Sequence, residues 1–173
     1  MEPTEELLDV VNEKGEILNT LPRSEIHGNP SLMHRVVHVL VFNDKAELLL
    51  QKRSMSKDVA PGRWDTSVGG HVNAGESLED AVKRETEEEL GITSFNPKFL
   101  YTYIHSNDYE TELVCTYSCV HNGKITFQKS EIDEVRAWGH DEIMAAIGKS
   151  ILSDNFEEEY RTYRSYMTNK KAT

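Results

Sequence analysis

A mixed β-sheet with helices packed on it is the fold class this sequence predicts, and three observations predict it. The run "HRVVHVLVF", His34–Phe42, is nearly all apolar, the mark of a strand buried on both faces. Strand-like runs alternate with a few helical stretches along 173 residues, enough for one domain with a proper core and too few for two. Ser77–Gly91 carries both helix signals: a serine that caps the first turn with Asp80 three residues on, and a glycine stop.

The elements follow in order. "LLDVVNEKGEIL" reads as a short hairpin turning at Asn12–Gly15, and "SEIH" as a helical turn. The His34 strand and "ELLLQKRS" flank a turn at Asn43-Asp-Lys, and "APGRW" is a loop by its Pro-Gly pair. Asp65–Val68 predicts one short strand. Leu78, Ala81 and Val82 give the Ser77 helix its apolar stripe. "FLYTYIH" and "ELVCTYSCVHNGKITF" predict antiparallel strands with a further turn at His121-Asn-Gly123, and "EVRAWGH" another strand. "DEIMAAIG" predicts a short helix. A C-terminal helix over about 154–170 puts Phe156, Tyr160, Tyr163 and Met167 on one face, a stripe suited to core packing.

Composition narrows the function. The formal net charge is −11, a surface that repels nucleic-acid backbones and anionic membranes, so neither is an expected partner. No apolar run approaches bilayer length, and "MEPTEELLDV" lacks the basic start and apolar core of a signal peptide. Cys115 and Cys119, the two cysteines, fall on one face of a strand and are expected as reduced core thiols, consistent with a cytoplasmic protein. A phosphorylated substrate would need local cations or metal ions to enter so acidic a molecule.

The chemistry is concentrated between Gly69 and Ile92, where Glu76, Glu79, Asp80, Glu85, Glu87, Glu88 and Glu89 are crowded together. Helical spacing puts Glu85, Glu88 and Glu89 on one face, where unpaired carboxylates raise one another's pKa and strain the helix. Lys83 and Arg84 are adjacent but fall on other faces. A divalent cation offsets the repulsion, and Mg²⁺ takes a few carboxylates plus substrate phosphate oxygens. The bland alternative is a solvated acidic face.

The surroundings favour the metal. Gly70, Glu76 and "RETEEELGI", Arg84–Ile92, resemble the signature of the Nudix family, with Thr86 where the family usually has an aliphatic residue. The resemblance implies a single Nudix domain over residues 1–173, an α/β/α sandwich with a mixed sheet, and a loop–helix–loop box over 70–92. It implies that Glu85, Glu88 and Glu89 ligate Mg²⁺ or Mn²⁺ around a diphosphate linkage. Arg84 would then orient the carboxylates, Gly70 permit close backbone approach, and Glu76 brace the loop. The general base stays open among Glu85, Glu88 and carboxylates outside the box, such as Glu110, Glu112, Glu131 and Glu134. Relatives are often homodimers.

The stretch from Leu32 to Ser77 is also similar to the type I isopentenyl-diphosphate isomerases, a branch of the same superfamily. That resemblance implies a second ligand set, His27, His34, His71, Glu110 and Glu112, with imidazoles and hard oxygens suited to Mn²⁺ or Mg²⁺ and compatible with Zn²⁺. It implies a diphosphate grip by Arg23, Arg53 and Lys57. In the branch a catalytic Cys precedes the Gly-His pair; here "WDTSVGGH" has Gly69. With no thiol there and the hydrolase box intact, the expected activity is metal-dependent hydrolysis of a small nucleoside or organic diphosphate. Isomerisation with another proton donor and a non-catalytic metabolite sensor are the competing expectations.

Overall fold

The computed structural model describes residues 4–172. Its centre is β3, Met33–Phe42, which pairs along its whole length with β8, Thr111–Val120, in parallel register. On its other side residues 36–39 pair antiparallel with β6, Val68–His71. A hairpin of β1, Leu7–Val11, and β2, Ile17–Pro22, joins at His34. β7, Lys98–Ser106, pairs antiparallel with β8. β4, Leu48–Arg53, pairs with β5, Trp64–Asp65, and with β9, Ile132–Trp138. The sheet is therefore mixed, as expected.

Because successive strand residues face opposite ways, β3 feeds two cores. Val37, Val39 and Val41 pack with Ala81, Val82 and Leu90 of α2, Leu78–Leu90, and with Cys115 and Cys119. Leu40 packs with Trp64, Trp138, Phe156 and Tyr160 beneath α3, His140–Ala146, and α4, Asp154–Ala172. This is the α/β/α arrangement. Both cysteine thiols are buried, which pushes them up to about 11 and leaves them protonated and inert.

α2 begins and ends on chemistry visible in the sequence. Ser77 Oγ accepts the Asp80 N–H at 3.1 Å, and Gly91 adopts φ 67°, the left-handed conformation that closes a helix. In the first hairpin, Asn12 Oδ1 accepts the N–H groups of Lys14 and Glu16. α1 is the single turn Arg23–Ile26.

Three expectations are corrected. The strand expected over Asp65–Val68 is two pieces, β5 and β6, separated by Thr66 and Ser67; the Ser67 hydroxyl reaches across to Val41 N–H and Leu49 C=O, pinning the break between β3 and β4. "KITF" forms no strand: the Thr126 N–H donates to Leu90 C=O, closing the end of α2 instead. On α4, Phe156 and Tyr160 are buried and Tyr163 packs against them, while Met167 lies outside that cluster. Among the described residues no helix is long and apolar enough to cross a membrane.

Candidate active site

Gly70 and Glu85 meet across the gap between β6 and α2. A Cβ at Gly70 would stand 2.1 Å from the Glu85 carboxyl carbon, so Glu85 lies against bare backbone. Burial raises the Glu85 pKa, and the Arg84 guanidinium opposes that rise. Glu89 is still more enclosed. Its carboxylate accepts the Gly69 N–H at 2.9 Å and Gln51 Nε2 at 3.1 Å, and burial pushes it up to about 8. Glu88 stays largely exposed. The three carboxylates do share a face of α2, but only two are drawn into the fold.

Arg84 folds back over the carboxylates, although helical spacing alone puts it on another face. Its Nε and Nη2 donate to the two oxygens of Glu76 at 2.8 and 2.9 Å, Nη2 also to the His71 carbonyl, and Nη1 to Glu85 at 2.7 Å, with Glu88 at 3.5 Å. The bidentate Arg84–Glu76 pair fixes the guanidinium plane, which then fixes Glu85. Glu76 in turn accepts the Asn73 N–H, tying the loop to the helix.

A second cluster lies at the end of β3. His27 from the close of α1, His34 from β3 and His71 from β6 have ring centroids 5.1–5.5 Å apart, and each offers a nitrogen within 4.8 Å of the others. The parallel register sets Glu112 opposite His34, and His34, Glu110 and Glu112 form an equally tight group. Neither ring nitrogen of His34, nor His27 Nε2, has a hydrogen-bond partner among the described residues. Glu112 and Glu110 stand 3.6 and 3.7 Å from His34 and His27. Burial, assisted by His71 and Arg23, lowers the His27 pKa to about 4, so its ring is neutral. Buried imidazole nitrogens without partners, beside carboxylates, fit a divalent cation: a buried polar atom left without a partner costs about 1–3 kcal/mol, and a cation gives such a cost a use.

Glu6 was not anticipated. It lies 3.4 Å from His71 Nδ1 and 3.4 Å from Arg23 Nη1, the kind of outer partner that sets a ligand histidine's tautomer. Its signal in sequence is nil, since it precedes the first hairpin. Gln51 and Asp65 were likewise missed.

Both clusters open on one cavity of about 1240 Å³. His27, His71, Glu85, Glu89, Glu110, Glu112 and Gly70 line it, with Arg23 and Arg53. Lys57 lies apart from that wall, in an adjoining pocket with Glu88, and pairs with Glu131. Gln51, Arg53 and Glu89 line both spaces. Arg53 is held by Val59 C=O at 2.7 Å and by Asp65 at 3.5 Å.

The α/β/α fold groups carboxylates and imidazoles that could hold a cation around one large cleft. The comparisons specify it further: residues 32–158 match the NUDIX domain model, and the chain belongs to the Nudix hydrolase family. It is 36% identical over 131 residues to the uncharacterised Nudix hydrolase PA4841 of Pseudomonas aeruginosa, covering 76% of this chain and 77% of that one. It is 33% identical to the uncharacterised Nudix hydrolase YfcD of Escherichia coli K12, covering 75% and 72%. Among solved structures, DR0079 from Deinococcus radiodurans superposes with TM-score 0.76 at 26% identity, over 91% of this chain and 98% of that one. The MutT protein of Methanosarcina mazei Go1 shares the fold, with TM-score 0.68, 23% identity and coverage of 83% and 97%.

Proposed function

We propose that this Nudix hydrolase cleaves the diphosphate linkage of a small nucleoside or organic diphosphate with Mg²⁺ or Mn²⁺. The observation that carries this reading is the Gly70–Glu85–Arg84–Glu76 arrangement, which holds a carboxylate rigidly at the cavity wall. Glu85, Glu88 and Glu89 hold the cation. When bound, it supplies neutralising charge at the diphosphate oxygens and a water of lowered pKa. Arg84 orients Glu85. Arg23 and Arg53 meet the substrate's negative charge from the cavity wall, and Lys57 from the neighbouring pocket. A carboxylate takes the attacking water's proton; Glu85 and Glu88 within the box and Glu110, Glu112, Glu131 and Glu134 outside it are the candidates.

The second ligand set, His27, His34, His71, Glu110 and Glu112, holds a further cation, with Zn²⁺ compatible alongside Mn²⁺ and Mg²⁺. This is the feature in which the chain resembles the isopentenyl-diphosphate isomerase branch. Against isomerisation stands Gly69, which carries no proton-donating side chain. The reading extends to a cytoplasmic location and to homodimer assembly.

The test is a panel of nucleoside diphosphates, nucleoside triphosphates and isoprenoid diphosphates with Mg²⁺ or Mn²⁺, read as phosphate or pyrophosphate release. Release well above a Glu88→Gln control supports the proposal. Release equal to the control across the panel refutes it.

A further inference from the structure

A histidine that belongs to neither ligand set occupies the cavity wall. His38 lies four residues along β3 from His34, opposite Gly69 in the antiparallel register with β6 and opposite Thr116 in the parallel register with β8. Its Nδ1 donates to Glu159 Oε1 at 3.1 Å. Glu159 sits on α4 and is fully buried; Thr116 Oγ1 donates to the same oxygen at 2.7 Å, and Tyr101 OH donates to Oε2 at 2.6 Å.

Three donors converging on a fully buried carboxyl group are more than packing needs. Such a group is destabilising unless every lone pair is used and a counter-charge is near. Burial pulls the His38 pKa down, but the Glu159 hydrogen bond and charge outweigh it and the net direction is up. The other charged groups lining this space are Glu6, Arg23 and His27 ahead of β3, Arg53 from β4, Asp58, Arg63 and Asp65 around β5, His71 from β6, Glu85 and Glu89 from α2, His105 from β7, Glu110 and Glu112 at β8, and Asp154 at the start of α4.

The far side of the ring is open. Among the described residues Nε2 has no hydrogen-bond partner, and His38 lines the large cavity. Gly69 leaves the ring uncovered: a Cβ there would stand 3.3 Å from His38 Cδ2 and 3.5 Å from Nε2. The imidazole edge therefore borders the space over Gly69. The neighbouring helix residue repeats the device, with Glu158 Oε2 holding His105 Nδ1 at 2.5 Å on the same cavity wall. α4 thus clamps two cavity imidazoles with two consecutive carboxylates.

We infer that His38 is a substrate-contacting residue: Glu159 fixes Nδ1, and the Nε2–H donates to an anionic oxygen of the diphosphate group bound over Gly69. This rests on the diphosphate reading of the cavity and adds to it a hydrogen-bond donor outside the Nudix box. Glu159 is its positioning residue. The contact adds a hydrogen-bond donor beside Gly69 to the guanidinium groups of Arg23 and Arg53 on the same cavity wall.

The test is side-chain ¹⁵N–¹H NMR of the full-length protein, titrated with Mg²⁺ and methylenediphosphonate, a diphosphate that cannot be hydrolysed. The expected result is that His38 Nε2 carries a proton in the probe complex and that its resonance shifts on addition of the probe. His38→Gln should weaken probe binding by about tenfold to a hundredfold, the range for a charged hydrogen bond. Glu159→Gln should weaken it less and lower the His38 pKa. Probe binding with an unmoved Nε2 resonance overturns the inference while leaving hydrolysis intact, and so does absence of probe binding. A shifted Nε2 in a protein that hydrolyses no diphosphate upholds the contact and refutes the hydrolase reading. If His38→Gln does not fold, the wild-type titration decides alone.

Discussion

The Glu85 carboxyl group occupies the volume that a side chain at residue 70 would fill, with 2.1 Å between its Cδ and the place of the missing Cβ. A contact that short cannot be absorbed by small adjustments. Gly70→Ala must therefore push Glu85 off the Arg84 guanidinium. We predict a fall in kcat of about a hundredfold, the cost typical of an ångström-scale misplacement of a catalytic group. The melting temperature should change little by comparison. Steady-state kinetics and thermal melting of the variant check this; unchanged kcat would mean that Glu85 does no work at that position.

Thr86 is fully buried and its hydroxyl has no hydrogen-bond partner among the described residues. Thr86→Val keeps the shape and removes the orphaned hydroxyl, whose burial costs about 1–3 kcal/mol. The variant should gain about 1 kcal/mol, or about 2–4 °C in melting temperature for a chain of this size. Calorimetry decides it, and a lower melting temperature would mean that the hydroxyl has a partner in solution.

Glu89 links metal binding to pH. Burial raises its pKa from 4.5 to about 8 in the metal-free protein. Its folded-state pKa lies above its unfolded value, so its contribution to stability is fully present below about pH 4.5 and is lost as pH rises towards 8. A ligating carboxylate must be ionised, so Mg²⁺ binding between those limits should release a proton. Isothermal titration at pH 6.5 in two buffers of different ionisation enthalpy measures the release. Glu89→Gln should abolish it; an undiminished release would assign the proton to another group.

The histidine cluster predicts a metal-dependent melting temperature. Mn²⁺ or Zn²⁺ at a hundred times its Kd should stabilise the wild type by about 2.7 kcal/mol, and EDTA should reverse the gain. His34→Ala removes the most buried ligand candidate and should remove this shift while leaving a weaker Mg²⁺ response from the Glu85 face. Metal titrations followed by melting test it. An equal shift in wild type and variant would show that the cluster binds no cation.

Much of this was legible in the sequence because it is local. The Ser77 cap, the Gly91 stop and the Glu85–Glu88–Glu89 face all follow from helical periodicity and short-range backbone geometry. What escaped is long-range. Arg84 was assigned to another face by spacing alone, yet its long side chain bends back to Glu76, which sits on the preceding loop. Glu6 and Gln51 reach the cavity, and Glu159 the far side of His38, from three distant stretches of chain, and nothing in their neighbours marks them. Glu159 in particular stands in the run "EEE", where nothing local marks it for burial, yet it is fully buried. The "KITF" segment has strand composition but gives a backbone donor to the end of α2, a tertiary choice that composition does not encode.

The central claim is that the cavity hydrolyses a diphosphate and does not isomerise carbon. The most direct measurement incubates the protein and Mg²⁺ or Mn²⁺ in D₂O with isopentenyl diphosphate and a nucleoside diphosphate, and follows ³¹P and ¹H spectra together. The account predicts new phosphate resonances from at least one substrate, lost in Glu88→Gln, with no deuterium entering the isopentenyl carbon skeleton. Deuterium incorporation without phosphate release would contradict it.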